Sequence, residues 1–175
     1  MSKTRQARNS RSPETGEDPQ LKLVLDLDRY VPALITFIAN KLSRSATVLY
    51  QKLFAVSVTE WRILSLLAIE PEISAARICQ VIGFDKGPVS RTLTAMEDRG
   101  LVAIKVDRED GRTYSISLTA KGAATHDKVI AIALERERRL LSCLSKPERE
   151  TLIALLQRVH GNLDAVKSVS EIDDR

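Results

Sequence analysis

Gly87, Ser90, Arg91 and Thr94 stand in the stretch FDKGPVSRTLTAMEDRG, residues 84–100. At about 100° per residue, Gly87, Arg91 and Thr94 share one side of a helix and Ser90 flanks them. A stripe of one glycine, small hydroxyls and one guanidinium suits close approach to a grooved polyanion. Arg91 can donate to a guanine edge or to a phosphate, and the small residues let the backbone come near. Lys86, Gly87 and Pro88 form the start of this segment, and between Lys86 and Met96 there are two positive charges and no acid. Shortly after it comes the tip DREDGR, residues 107–112, with Arg108 and Arg112. Asp110, two residues before Arg112, can hold that guanidinium by a charge-assisted hydrogen bond. Alone, a polar helix face with one arginine is ordinarily solvated surface, and a charged tip is ordinarily only a turn. Their adjacency is what points to nucleic acid.

Chemistry of other kinds has little to work with. The two histidines, His126 and His160, lie outside this region, and no phosphate loop, nucleophile elbow or metal-ligand spacing occurs. No catalytic residue, metal or cofactor is therefore expected, and the chain is read as a non-enzyme. Cys79 and Cys143 form no CxxC or Cys/His cluster, which fits a reducing, cytoplasmic setting. Both are expected to be buried structural thiols. No apolar run approaches a membrane span.

The net charge of +4 is concentrated at one end. Lys3, Arg5, Arg8 and Arg11 precede the first acid, Glu14, and without them 23 basic residues face 23 acidic ones. A neutral body can bind a polyanion only by placing charge locally. Aromatics are 4% of the 175 residues, so the core must be aliphatic, which suits helices.

These residues need elements to hold them. Residues 1–20 are polar and read as a disordered basic tail, with one domain over 21–175. Pro32 suits a first helical turn, and Leu34, Ile35, Ile38, Leu42, Leu49 and Phe54 recur at helical spacing, predicting a helix from about 32 to 54. Ser57 with Glu60 has capping-box spacing and opens a second helix ending before Pro71. Ser74 caps a third, which ends at Gly83, and Asp85 caps a fourth running to about Arg99. LVAIKV and TYSISL alternate with period two and form a hairpin around DREDGR. A fifth helix follows, and a Ser145–Glu148 capping box starts a sixth, continuous through Val169. The fold class is mainly α with a small β-hairpin (α+β).

The third helix, the Gly83 turn and the fourth helix have the layout of a helix-turn-helix, and the hairpin makes it winged. The second helix enters the major groove, while an arginine at the wing tip is drawn to the neighbouring minor groove. On SVTEWRILSLL, FDKGPVSRTLTAMEDRGLV, DREDGRTYSISLTAKG and the order of six helices, the chain resembles the MarR family of bacterial transcription regulators over roughly residues 30–165. The wing followed by LTAKG is the most specific part. The resemblance implies a homodimer that binds pseudo-palindromic double-stranded operator DNA and usually represses. Many members release DNA when a small, often phenolic or anionic, molecule binds. It places Gly87, Pro88, Ser90, Arg91 and Thr94 on the recognition helix, Asp110 and Arg112 in the wing, and Ser74 and Arg77 near phosphates. Lys105 stands close to where many relatives carry an arginine after GLV, and Gly111 occupies a position that is often arginine. No cysteine lies near the start of the first long helix, where peroxide-sensing relatives keep theirs.

Residues 56–120 are thus read as the DNA-binding winged helix, with dimerisation helices over 28–55 and 121–170. Leu152, Ile153, Leu155, Leu156, Val159, Leu163 and Val166 make the last helix apolar over a wider arc than one small domain needs to cover. The family's ligand cleft lies between the terminal helices and the reader. Asn40, Arg44, Thr47 and Trp61 are candidates for it, with Trp61 more naturally a core residue. The rival reading is a winged helix that docks another protein without sequence-specific DNA binding.

Overall fold

A computed structural model of the chain describes residues 23–106 and 114–167. By its internal contacts the chain divides into two compact units, 1–42 and 43–175, with the division inside the first helix. Seven α-helices and one antiparallel hairpin make up the described residues: α1 (Val31–Phe54), α2 (Val58–Ile69), α3 (Ala75–Ile82), α4 (Lys86–Asp98), β1 (Val102–Val106), β2 (Tyr114–Leu118), α5 (Ala120–Leu140), α6 (Lys146–Gly161) and the short α7 (Asp164–Lys167). The mainly helical class with a hairpin is the one expected.

Local chemistry sets most of the boundaries. Ser57 accepts the Glu60 N–H at 3.1 Å, and the Glu60 carboxylate takes back the Ser57 N–H at 2.6 Å, so two unpaired helix-end donors are satisfied at once. Ser74 accepts the Arg77 N–H at 3.2 Å to open α3. Thr119 does the same for Gly122 at 3.0 Å to open α5. Glu148 reaches back to both the N–H and the hydroxyl of Ser145 at the start of α6. α5 tightens into a 3-10 turn at Leu141–Cys143 before that cap. The expected continuous last helix is instead broken: α6 ends at Gly161, Asn162 follows as its cap, and α7 begins at Asp164. Glycine is the poorest helix former after proline, and no apolar contact buries residues 161–163 to offset its entropy.

The larger core is aliphatic. Val56, Ile63, Leu64 and Leu67 from the α2 region meet Ile78 of α3, Val89, Leu93 and Met96 of α4, and Leu101, Val102 and Ile116 of the hairpin. Each fully buried side chain of this size contributes roughly 1.5–3 kcal/mol, so the inward stripe of α4 is a firm seat. In the hairpin, Val102 pairs with Leu118 and Ile104 with Ile116. A third strand-like contact extends it: the Ile73 carbonyl accepts the Ile116 N–H at 2.9 Å, tying the α2–α3 link to the hairpin. A smaller core gathers Ala46 and Tyr50 of α1 with Val129 of α5.

Unit 1, as far as it is described, is a short turn and the first part of α1. Its apolar residues Leu23, Val24, Leu25, Leu27, Tyr30, Val31, Leu34, Ile35, Phe37 and Ile38 are all exposed.

Candidate nucleic-acid interface

α3 and α4 meet at a tight corner. Gly83 ends α3 at φ +69°, a left-handed conformation that costs glycine nothing, and its N–H returns to the Cys79 carbonyl at 3.0 Å. Phe84 and Asp85 complete the turn, and α4 begins at Lys86. Asp85 occupies the N-cap position, yet its side chain makes no capping hydrogen bond, contrary to expectation. Pro88 is the third residue of the helix, where a cap usually finds an N–H, and proline has none to give.

The inward stripe Val89, Leu93 and Met96 is buried. On the other side Gly87, Ser90, Arg91 and Thr94 are exposed on one outward surface of α4, and Lys86 and Pro88, on either flank of its first turn, are exposed as well. Among the described residues, Arg91 has no hydrogen-bond or ion-pair partner. Its guanidinium lies back along the helix over Gly87, where an added Cβ would sit 3.7 Å from Nη1. Thr94 donates to the Ser90 carbonyl at 3.2 Å, leaving its oxygen free to accept.

Ser74 and Arg77 stand at the start of α3, but Arg77 is already engaged. Its Nε and Nη2 both donate to Glu70 at 2.8 Å, and Nη1 donates to Gln80 at 3.1 Å. The hydrogen-bonded fork holds the Glu70 carboxyl below the ordinary carboxylate range and pushes Arg77 up in turn. Lys105 is exposed on β1, its backbone paired with Ser115 of β2. Arg108, Asp110 and Arg112, together with Gly111, lie outside the described residues.

The base of the hairpin is held by polar contacts that sequence reasoning missed. Arg99, the C-cap of α4, donates from Nη1 to Glu60 at 2.6 Å and from Nη2 to the Ala55 carbonyl at 2.7 Å. Lys121 donates to the Arg99 carbonyl at 2.6 Å, and Thr119 to the Gly100 carbonyl at 2.6 Å. The available signal was Glu60 itself. A capping carboxylate at the start of an apolar helix spends one oxygen on the cap and, once buried, needs a cation for the other.

The effector candidates are dispersed by environment. Asn40 is an exposed residue of unit 1. Arg44 and Thr47 are exposed on the second half of α1, where Thr47 donates to the Ser43 carbonyl at 2.9 Å. Trp61 is half-buried and packs against both cores. It stacks on His126 at 5.4 Å between ring centroids and meets Tyr50 edge-on at 6.1 Å. An open apolar groove of about 410 Å³ lies elsewhere, lined by Leu144, Pro147, Glu148, Thr151, Leu152 and Leu155, and none of the four candidates borders it.

Cys79 is half-buried against the larger core. Cys143, expected to be buried, is exposed, because α5 stops at Leu140 and the following 3-10 turn carries the thiol on its outer side. Among the described residues no group of His, Cys, Asp and Glu could hold a metal, and no helix is long and apolar enough to cross a membrane.

Comparison with known proteins agrees with this geometry. A model of the MarR family matches residues 56–113, the stretch that runs from α2 through β1. A MarR/EmrR family transcriptional regulator from Acinetobacter sp. ADP1 is 33% identical, with 81% of this chain and 99% of that one superposed at a TM-score of 0.75. The uncharacterised HTH-type transcriptional regulator YdgJ of Bacillus subtilis is 27% identical over 124 residues, 69% of this chain and 74% of that protein. The MepR–DNA complex of S. aureus shares the fold, with a TM-score of 0.68 at 23% identity over 79% of this chain and 99% of MepR.

Proposed function

The chain belongs to the MarR family of DNA-binding transcriptional regulators, and from that premise we propose that it acts as a homodimer on a pseudo-palindromic operator, repressing until a small molecule releases it. α4 is the recognition helix: Arg91 reads a base edge or grips a phosphate, and Gly87, Ser90 and Thr94 let the helix lie deep in the major groove. Ser74, Arg77 and Lys86 approach the phosphates beside it, and Lys105, Arg108, Asp110 and Arg112 serve the wing. One observation carries this reading. Arg91 stands unpaired among the described residues, on an exposed face that the inward packing of Val89, Leu93 and Met96 holds in place.

The dimer is supported by apolar surface that a lone chain leaves wet. Ile153, Leu155, Leu156, Val159, Leu163 and Val166 near the end of the chain are exposed, as are ten apolar residues of unit 1. Residues 56–120 form the reader, 28–55 and 121–170 supply the dimer, and 1–20 are a basic tail. A regulator of this kind works in the cytoplasm, beside the chromosome, and needs no catalytic residue or cofactor.

The test is selection of duplexes from a random-sequence pool by the purified protein, followed by titration at several salt concentrations. Affinity for the selected duplex should fall steeply with salt and survive better than binding to unrelated DNA. A protein that bound no duplex even at low salt would be a docking module instead.

A further inference from the structure

We propose that Arg62 and Arg99 are positioning residues that set the angle of α4 by pinning one end to the second half of α1 and the other to the residue that follows α1; this rests on the reading of α4 as the recognition helix. Apolar packing seats α4 along one stripe, Val89, Leu93 and Met96, and because hydrophobic burial is non-directional it limits a pivot about that stripe less sharply than a polar contact does. Hydrogen bonds and stacked cations are directional, and the structure places them at both ends of α4.

Before the first turn of α4, Phe84 lies under the guanidinium of Arg62, 5.3 Å from Cζ to the ring centroid. The same guanidinium donates from Nη2 to the Ser43 hydroxyl of α1 at 3.1 Å. Beyond the last turn, Arg99 donates to the carbonyl of Ala55, the residue that follows α1. Its other arm meets Glu60, whose second oxygen takes the Ser57 N–H. Ala55 is held at φ +54° as the left-handed cap of α1, its N–H on the Gln51 carbonyl at 3.1 Å and the Val56 N–H on the Tyr50 carbonyl at 3.4 Å, so the Arg99 contact falls on a residue whose backbone is already fixed to α1. Arg62 of α2 thus links Ser43 of α1 to the entry of the recognition helix, while Arg99 itself links the exit to Ala55, with Glu60 of α2 holding its other arm. A rotation of α1 about its own axis would move Ser43 and Ala55, and through them would turn α4 on its apolar seat.

Positioning differs from mere stabilisation in what it does to operator spacing. Two recognition helices held at a fixed angle fit one separation of half-sites and reject others. The experiment uses the full-length protein and the duplex selected by wild type, remade with one to three base pairs inserted or removed between half-sites. Arg62→Ala, Arg99→Ala and Arg99→Lys are each compared with wild type, and thermal unfolding is followed in parallel. Wild type should show one sharply preferred spacing. Arg62→Ala and Arg99→Ala should lose about tenfold or more at that spacing but change about threefold or less at the others, flattening the profile. Arg99→Lys should recover part of the preference, since one ammonium can reach one acceptor but not span both.

A spacing profile of unchanged shape in folded variants overturns the proposal. So does a uniform loss at every spacing that tracks the loss of folded protein. Should Arg99→Ala fail to fold, Arg62→Ala decides the matter, because its partners are only a hydroxyl and a ring. Failure of wild type to bind any duplex would defeat the reading of α4 itself, whereas a wild type with a sharp preference that Arg62→Ala retains defeats the pins alone.

Discussion

Arg77 and Arg91 are both exposed and lie on consecutive helices, yet their guanidinium groups keep different company. Arg91 is unpaired among the described residues, so a donation to DNA, as proposed, would surrender no existing contact. Arg91→Ala should weaken operator binding by about 1–3 kcal/mol if the side chain reads a base. Titration of the selected duplex checks this, and a variant that binds like wild type removes Arg91 from the site. Arg77 has its fork filled by Glu70, and a phosphate must compete with that carboxylate. An exposed pair of this kind is weak and the competition is winnable, but it suppresses attraction to phosphate in general. Glu70→Gln should therefore tighten binding to non-specific DNA and steepen the dependence of log affinity on log salt by about one. An unaltered slope would mean that Arg77 never reaches a phosphate.

Helices α2 and α3 and the hairpin could be read from sequence because their signals are local. Ser57 with Glu60, Ser74, Gly83 and the alternation of Val102/Ile104 against Ile116/Leu118 each act within a few residues. The outward face of α4 was legible for the same reason, being fixed by period alone. What stayed hidden depends on partners far along the chain: Arg99 with Glu60 and Ala55, Arg62 with Ser43 and Phe84, and Ile73 with Ile116. Cys143 was misplaced because burial of a thiol at a helix end depends on where the helix stops. Gly122 is another residue whose role only the packing reveals. It lies in the first turn of α5, and a Cβ there would run into the backbone carbonyl oxygen of Leu101, which cannot swing aside. Alanine favours a helix over glycine by about 1 kcal/mol at most, while forced overpacking costs about 1–3 kcal/mol. Gly122→Ala should accordingly lower the unfolding temperature, with the junction of hairpin and α5 the first region to lose amide-exchange protection. A variant as stable as wild type would show that α5 can slide away from the hairpin freely.

For the whole molecule, on the proposed dimer, the governing quantity is how two readers are joined. Leu152, Leu155, Leu156 and Val159 recur at helical spacing on α6, Leu163 and Val166 follow beyond its end, and all but Leu152 are exposed. A specific interface usually removes about 800 Å² per partner from water, and exposed leucines and valines are surface of the right character for it. Leu156 stands within this apolar face, and Leu156→Arg would place a charge where the proposed second copy would pack, without disturbing the larger core. This variant should sediment as a monomer at concentrations where wild type is a dimer. The DNA consequence follows from linkage: once one half-site is bound, the second recognition helix meets the other at a high effective concentration. Losing that connection should cut affinity for the full operator by about 10²–10⁴-fold, while affinity for an isolated half-site stays within a few-fold of the wild-type value. Sedimentation and binding measured on the same sample separate the possibilities. If the variant remains a dimer, the stripe is not the interface; if it is a monomer that binds the full operator as tightly as wild type, one reader suffices and the paired geometry is wrong.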